Sequence, residues 1–143
     1  MIFDAQNLFS DAQAITAAAA STNIIDLGSA RNIGVGENLY VGVTIDTTFA
    51  DTGSNSTLTV ALEGDSTTSF TPDGTQTLFT IHALAAAGSK YFARINPDFA
   101  SNYRYIRLYY TPNNGDLSAG AVTAFLTHGI DAQTNYPKGY QIS

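Results

Sequence analysis

The stretch YRYIRLYYT, residues 103–111, carries the alternation from which the fold can be predicted. Successive side chains of a strand point to opposite faces, so Ile106, Leu108 and Tyr110 fall on one face. This apolar set predicts a strand whose inner face lies on a domain core. The opposite face carries Tyr103, Tyr105, Arg107 and Tyr109.

This outward set has two interpretations. Three tyrosines and an arginine in a row form a patch that is costly to leave in water and typical of protein–protein contacts. Tyrosine also has a high strand propensity and covers many sheet surfaces for that reason alone. We take the four residues as a candidate interface, and the propensity interpretation stays open.

Similar alternation recurs along the chain between segments rich in turn residues. An alanine run at residues 17–20 favours a helix by propensity, but no apolar stripe of helical period accompanies it. About eight strands at regular spacing predict an all-β fold, a two-sheet antiparallel sandwich with the jelly roll as its natural eight-stranded form. The predicted strands lie near Ala12–Ala17 and at Asn23–Gly28, Asn38–Phe49, Ser56–Asp65, Thr75–Leu84, Lys90–Ile95, Tyr103–Thr111 and Gly120–Asp131.

A chain of 143 residues is expected to form one domain. We place the sandwich at residues 13–131, between an N-terminal arm at 1–12 and a C-terminal tail at 132–143. The arm carries Phe3, Leu8 and Phe9, whose apolar side chains need a surface to dock on. These three residues therefore join the candidate interface.

Composition excludes several classes of protein. The formal net charge of −6 argues against a nucleic-acid binder, which needs clustered positive charge. No apolar run is long enough for a membrane span, and no basic leader opens the chain. The absence of cysteine excludes disulfides and thiolate metal sites. We expect no nucleic-acid or membrane partner.

Four of the six Lys and Arg residues fall within 18 positions, at Lys90, Arg94, Arg104 and Arg107. They are either a local positive site for an acidic patch on another protein or ordinary solvated strand ends.

Candidate catalytic residues are few. Asp51-Thr52-Gly53 matches the tripeptide of aspartic proteases, but the apolar strand expected after it is absent, and a glycine turn fits better. His82 and His128 have no neighbours at metal-ligand or triad spacing. The sequence predicts no enzyme, no metal site and no cofactor.

Several blocks of the chain resemble a known family. The N-terminal block Ile2–Ala14 followed by Asn23–Gly28 resembles the opening of the capsid cement (decoration) proteins of short-tailed bacteriophages. More generic matches follow at Gly36–Val41, Val60–Glu63, Tyr105–Leu108 and Gly120–Ala124.

The resemblance implies a jelly-roll protein on the outer surface of a virion. Its partners would be the major capsid protein and itself, most simply as a dimer, and it would clamp neighbouring capsomeres without enzyme activity. A carbohydrate-binding β-sandwich is a second hypothesis, because tyrosine, asparagine and aspartate on loops also suit glycan stacking.

Overall fold

The computed structural model describes residues 4–30, 38–82, 84–99 and 101–128. Within this part of the chain, nine strands form two antiparallel sheets, preceded by a short 3-10 turn at Ala5–Asn7. The strands are β1 (Leu8–Ala14), β2 (Ala19–Ala20), β3 (Ile25–Asp26), β4 (Tyr40–Ala50), β5 (Thr57–Asp65), β6 (Gly74–Ile81), β7 (Lys90–Arg94), β8 (Tyr105–Asn113) and β9 (Ala119–Thr127).

The strand order is that of a jelly roll. One sheet, called here the β4 sheet, has the order β1-β9-β4-β7; the other, the β8 sheet, has the order β2-β8-β5-β6, with β3 also paired to β8. Because β2 and β3 both pair with β8, they count as one interrupted strand, which gives eight strands. The first then pairs with the last, the second with the seventh, the third with the sixth and the fourth with the fifth. This nesting confirms the predicted sandwich and its jelly-roll form.

The core lies between the inner faces of the two sheets. Leu58, Val60 and Leu62 of β5 are fully buried, as the alternation of that strand predicts. Among the described residues, the largest fully buried side chain is Tyr110, whose hydroxyl forms a 2.7 Å hydrogen bond with the Ser10 hydroxyl. Because Ser10 lies in β1 and Tyr110 in β8, this bond joins the two sheets. Burial raises the pKa of Tyr110, so the phenol stays neutral further into the alkaline range than an exposed tyrosine would.

The N-terminal region differs from the prediction. β1 begins at Leu8 and pairs with β9, so residues 8–12 lie in the sandwich and not in an arm. A bulge between Ser10 and Gln13 puts Ala12 in the left-handed region with φ 44°, and this irregularity hides the strand's period. Residues 1–3 of the predicted arm and the predicted tail at 132–143 lie outside the described residues.

The alanine run is not helical. Ala19 and Ala20 form β2 and pair with Tyr110 and Tyr109 of β8, so pairing with a long neighbouring strand overrides the local propensity for helix. No helix in the described part of the chain has the length and apolarity needed to cross a membrane.

Candidate interaction surface

The two faces of β8 separate as the sequence predicts. Ile106, Leu108 and Tyr110 have no exposed surface, because they point into the core. Tyr105, Arg107 and Tyr109 point outward and are half-buried. We call this second set the Arg107 face. It lies in the middle of the β8 sheet, since β8 has β5 on one side and β2 and β3 on the other.

Arg107 is the centre of a contact network on this face. Its Nε donates a 2.7 Å hydrogen bond to Glu63 Oε2, directly across the strand pair, and the two side chains are only 17% and 11% exposed. The guanidinium carbon lies 4.2 Å from the centre of the Phe70 ring and 5.7 Å from that of Tyr109. Arg107 therefore supports the aromatic rings of this face and is not a free cation.

Phe70 reaches the face from the loop at residues 66–73. It is 8% exposed and has φ 42°, a conformation that non-glycine residues rarely adopt. Asp65, at the end of β5, holds the start of this loop, because its Oδ1 accepts hydrogen bonds from the Thr67 amide at 2.7 Å and from the Thr67 hydroxyl at 3.2 Å. The sequence gives no signal for this role of Phe70, since it lies in a turn-rich segment without alternation.

Tyr105 is supported by a second, more exposed ion pair. Arg104 donates two hydrogen bonds to Asp26, at 2.9 and 3.0 Å, and its guanidinium carbon lies 5.0 Å from the centre of the Tyr105 ring. The Arg104 side chain, followed by the Gly28 amide, holds the pKa of Asp26 below its usual value. Both ends of the Arg107 face thus have a tyrosine packed on an arginine.

The structure does not gather the four basic residues into one positive site. Arg104 and Arg107 are each paired with a carboxylate in the β8 sheet, while Lys90 and Arg94 lie on β7 in the other sheet. Residues that are close in sequence are not close in space here, because the chain changes sheets between β7 and β8.

Tyr103 does not belong to the Arg107 face. It precedes β8, so the alternation of that strand does not extend to it. Its side chain packs against Phe99, with ring centres 5.1 Å apart, and occupies the space that a Cβ at Gly64 or Gly74 would take. Tyr103 thus packs at the end of the sandwich, apart from the Arg107 face, and its interface role stays a prediction.

Phe3, Leu8 and Phe9 are not brought together as one contact set. Phe9 is fully buried in the core, which removes it from the candidate interface. Leu8, its neighbour on β1, points to the opposite side and is half-buried, opposite Phe125 of β9. Phe3 lies outside the described residues.

Asp51 stabilises a turn. Its Oδ2 accepts hydrogen bonds from the amides of Asn55 and Ser56, both at 3.0 Å. The Asp-Thr-Gly tripeptide is therefore part of a turn, as the sequence favours. Across the ranges that the structure describes, no three histidine, cysteine, aspartate or glutamate residues converge into a metal-binding group.

A family model described as Bbp16 matches residues 9–126, from the second residue of β1 to the last but one of β9. The chain belongs to the Bbp16 family. No curated protein sequence matches the chain.

Among solved structures, the Bbp16-family chain is similar to a chain in the "Structure of infectious bursal disease virus Gx strain". The TM-score is 0.50 at 14% identity, and the match covers 84% of this chain and 30% of the viral one. The chain thus spans about a third of the length of that neighbour, and at this identity the likeness shows the fold alone.

Removing the partner of Arg107 tests the network in this Bbp16-family protein. We expect Glu63→Ala to lower the free energy of unfolding by about 2 kcal/mol, because a largely buried arginine loses its counter-charge. Asp26→Ala is the matched control: the Arg104–Asp26 side chains are each 46% exposed, so its loss is expected to change stability little. Urea denaturation of both variants measures the difference. Equal losses in the free energy of unfolding would contradict the view that Arg107 is largely buried and needs Glu63 as its counter-charge.

Acid is expected to weaken the fold through carboxylates that accept hydrogen bonds. The amides of Ser56 and Asn55 lower the pKa of Asp51 from 3.8, and the Thr67 amide lowers that of Asp65. A lowered folded-state pKa stabilises the protein above the unfolded value of 3.8, and this stability is lost as pH falls through the folded value.

The stability gap between wild type and Asp51→Asn should therefore be larger at pH 6 than at pH 3, measured by urea denaturation at both values. Asp116→Asn is the control, because the exposed Asp116 accepts no hydrogen bond from the described residues. A gap for Asp51→Asn that does not change with pH would contradict the assignment.

Proposed function

We propose that this protein is a capsid cement, or decoration, protein that binds the outside of a phage shell and stabilises contacts between capsomeres. Its partners are the major capsid protein and a second copy of itself, and it works without catalysis. The observation that carries the proposal is the Arg107 face, where Tyr105 and Tyr109 are held half-exposed on a rigid sheet.

The geometry of this face favours binding to a protein surface. Tyrosine offers a large apolar ring together with a hydroxyl, and it is enriched among the residues that dominate interface energies. Tyr105 packs on Arg104, and Tyr109 on Arg107. Because both rings are already positioned, little side-chain entropy is lost when a partner covers them.

A cement role also fits weak individual contacts. Many copies that engage a pre-arranged lattice act together, so each face needs only moderate affinity. The resemblance to phage cement proteins supports this role. The shared fold with a chain of a virus structure agrees with a place in a virion.

Co-sedimentation tests the proposal. Purified protein is mixed with empty shells assembled from the major capsid protein of the same phage, and the pellet is assayed for saturable binding. We expect binding, together with a rise in the temperature at which the shells break. Protein that stays in the supernatant, or that instead binds a glycan array with measurable affinity, would contradict the proposal and favour a carbohydrate-binding module.

A further inference from the structure

An open cleft of about 350 Å³ lies where β1 faces the segment that leads into β3. Among the described residues it is lined by Ala5, Leu8, Asp11 and Asn23. Ala5 and Leu8 give it an apolar wall, and Asp11 and Asn23 give it a polar one. The volume is at the lower end of the range for sites that enclose a small ligand, and is sufficient for one long side chain. None of the four residues belongs to the Arg107 face.

Asn23 is fixed in place, so this side of the cleft is already formed. Its backbone amide donates to the Phe9 carbonyl at 2.9 Å, and its Nδ2 donates to the Leu8 carbonyl at 3.1 Å. Both bonds tie Asn23 to the backbone of β1. The Oδ1 atom of the same side chain accepts no hydrogen bond from the described residues, which leaves an acceptor available at the cleft.

Asp11 is presented by the bulge in β1. The register shifts between Ser10 and Gln13, and Ala12 lies in the left-handed region with φ 44°. The Ala12 amide donates to Thr123 Oγ1 at 3.0 Å, and this hydroxyl donates to Asp46 Oδ2 at 2.6 Å, so the bulge is held by β9 and β4. Bulges change the direction of a side chain relative to a regular strand. Asp11 is exposed, and its carboxylate has no ion-pair or hydrogen-bond partner among the described residues.

We propose that this cleft binds a lysine side chain of a different protein, and not of a second copy of this chain. The methylene groups of the lysine lie along Leu8 and Ala5, and its ammonium group donates to the Asp11 carboxylate and to Asn23 Oδ1. Lysine fits better than arginine because its compact ammonium donates in several directions to acceptors from different residues, whereas the planar guanidinium suits one carboxylate edge. The net charge of −6 further favours a cationic partner. That this partner is the shell protein rests on the proposed function.

Titration with a small probe tests the cleft without shells. Nα-acetyl-lysine methylamide is added to the full ¹⁵N-labelled chain, and amide shifts are followed by NMR. We expect saturable shifts at residues 5, 8, 11 and 23, with affinity about tenfold lower for Asp11→Asn, since a charge-assisted hydrogen bond is lost. Asp116→Asn makes the same charge change outside the cleft and is expected to bind like wild type. Asp11→Lys is expected to abolish binding, and the spectra themselves report whether each variant is folded.

Several outcomes overturn the inference. It fails if the lysine probe shifts no amide in the cleft, if folded Asp11→Asn binds it as tightly as wild type, or if the norleucine analogue, which lacks the ammonium group, binds equally well. Tighter binding of the arginine analogue contradicts the choice of lysine. A change of oligomeric state in Asp11→Asn also contradicts it, because the occupant would then be a second copy of this chain.

Shell binding separates this inference from the proposed function. Wild-type protein that binds the probe but not shells refutes the cement role and leaves the cleft intact. If wild type binds shells and Asp11→Asn binds them equally well at all salt concentrations, the lysine cleft is not a shell contact. The cement role then stays intact. We expect Asp11→Asn to weaken shell binding and to reduce its dependence on salt.

Discussion

Phe9→Ala is expected to lower the free energy of unfolding by about 3–5 kcal/mol, because it removes a large buried ring and leaves a cavity. Phe9 has no exposed surface and lies in the core between the two sheets. Leu8→Ala is the matched control: Leu8 is its neighbour on β1, points to the other side and is half-buried. We expect a loss of about 1 kcal/mol there, since less apolar area is removed from a buried environment. Urea denaturation with unchanged m-values measures both.

This pair of variants decides between two roles for the start of β1. If residues 8–12 formed a docking arm, Phe9→Ala would leave unfolding unchanged and reduce binding to shells. That result would return Phe9 to the candidate interface and contradict the pairing of β1 with β9. A large loss of stability for Phe9→Ala, with a small one for Leu8→Ala, agrees with the jelly roll.

Replacing both tyrosines of the Arg107 face should abolish most shell binding. A hot-spot tyrosine at the centre of an interface contributes about 2 kcal/mol or more, so we expect Tyr105→Ala with Tyr109→Ala to weaken affinity about 100-fold or more. Both rings are half-exposed in the free protein and lie outside the core, so the variant is expected to stay folded. Sedimentation at a series of protein concentrations gives the affinity.

The control for this variant is Tyr40→Ala. Tyr40 is also half-buried and lies on β4 in the opposite sheet, so the same type of ring is removed from the other side of the sandwich. It is expected to bind shells like wild type. If Tyr40→Ala weakens binding and the double variant does not, the shell contact lies on the β4 sheet and the Arg107 face is not the interface.

The long strands could be predicted because alternation is a local signal. The alternation puts Leu58, Val60 and Leu62 of β5 and Ile106, Leu108 and Tyr110 of β8 inside, and the structure buries all six fully. Thr47 is an exception in β4. It follows Val43 and Ile45 at the same two-residue spacing and is therefore expected inside, but a register shift after Ile45 leaves it exposed. Irregularities of this kind depend on the neighbouring strands and have no marker in the local sequence.

The candidate site was predictable only in part. Alternation correctly places Tyr105, Arg107 and Tyr109 on the outer face. The pairing of Arg107 with Glu63 depends on the register between β5 and β8. These strands are neighbours in the sheet but are separated along the chain by two other strands, so local patterns cannot align them. Phe70 reaches the same arginine from a loop whose start is held by hydrogen bonds to Asp65.

An image reconstruction of shells with the protein bound tests the central claim most directly. We predict density for the jelly roll on the outer surface of the shell, with the face that carries Tyr105 and Tyr109 against a protein neighbour. The account would be contradicted by density inside the shell or by the absence of ordered density at saturating protein. It would also be contradicted by a bound jelly roll whose Arg107 face points into solvent.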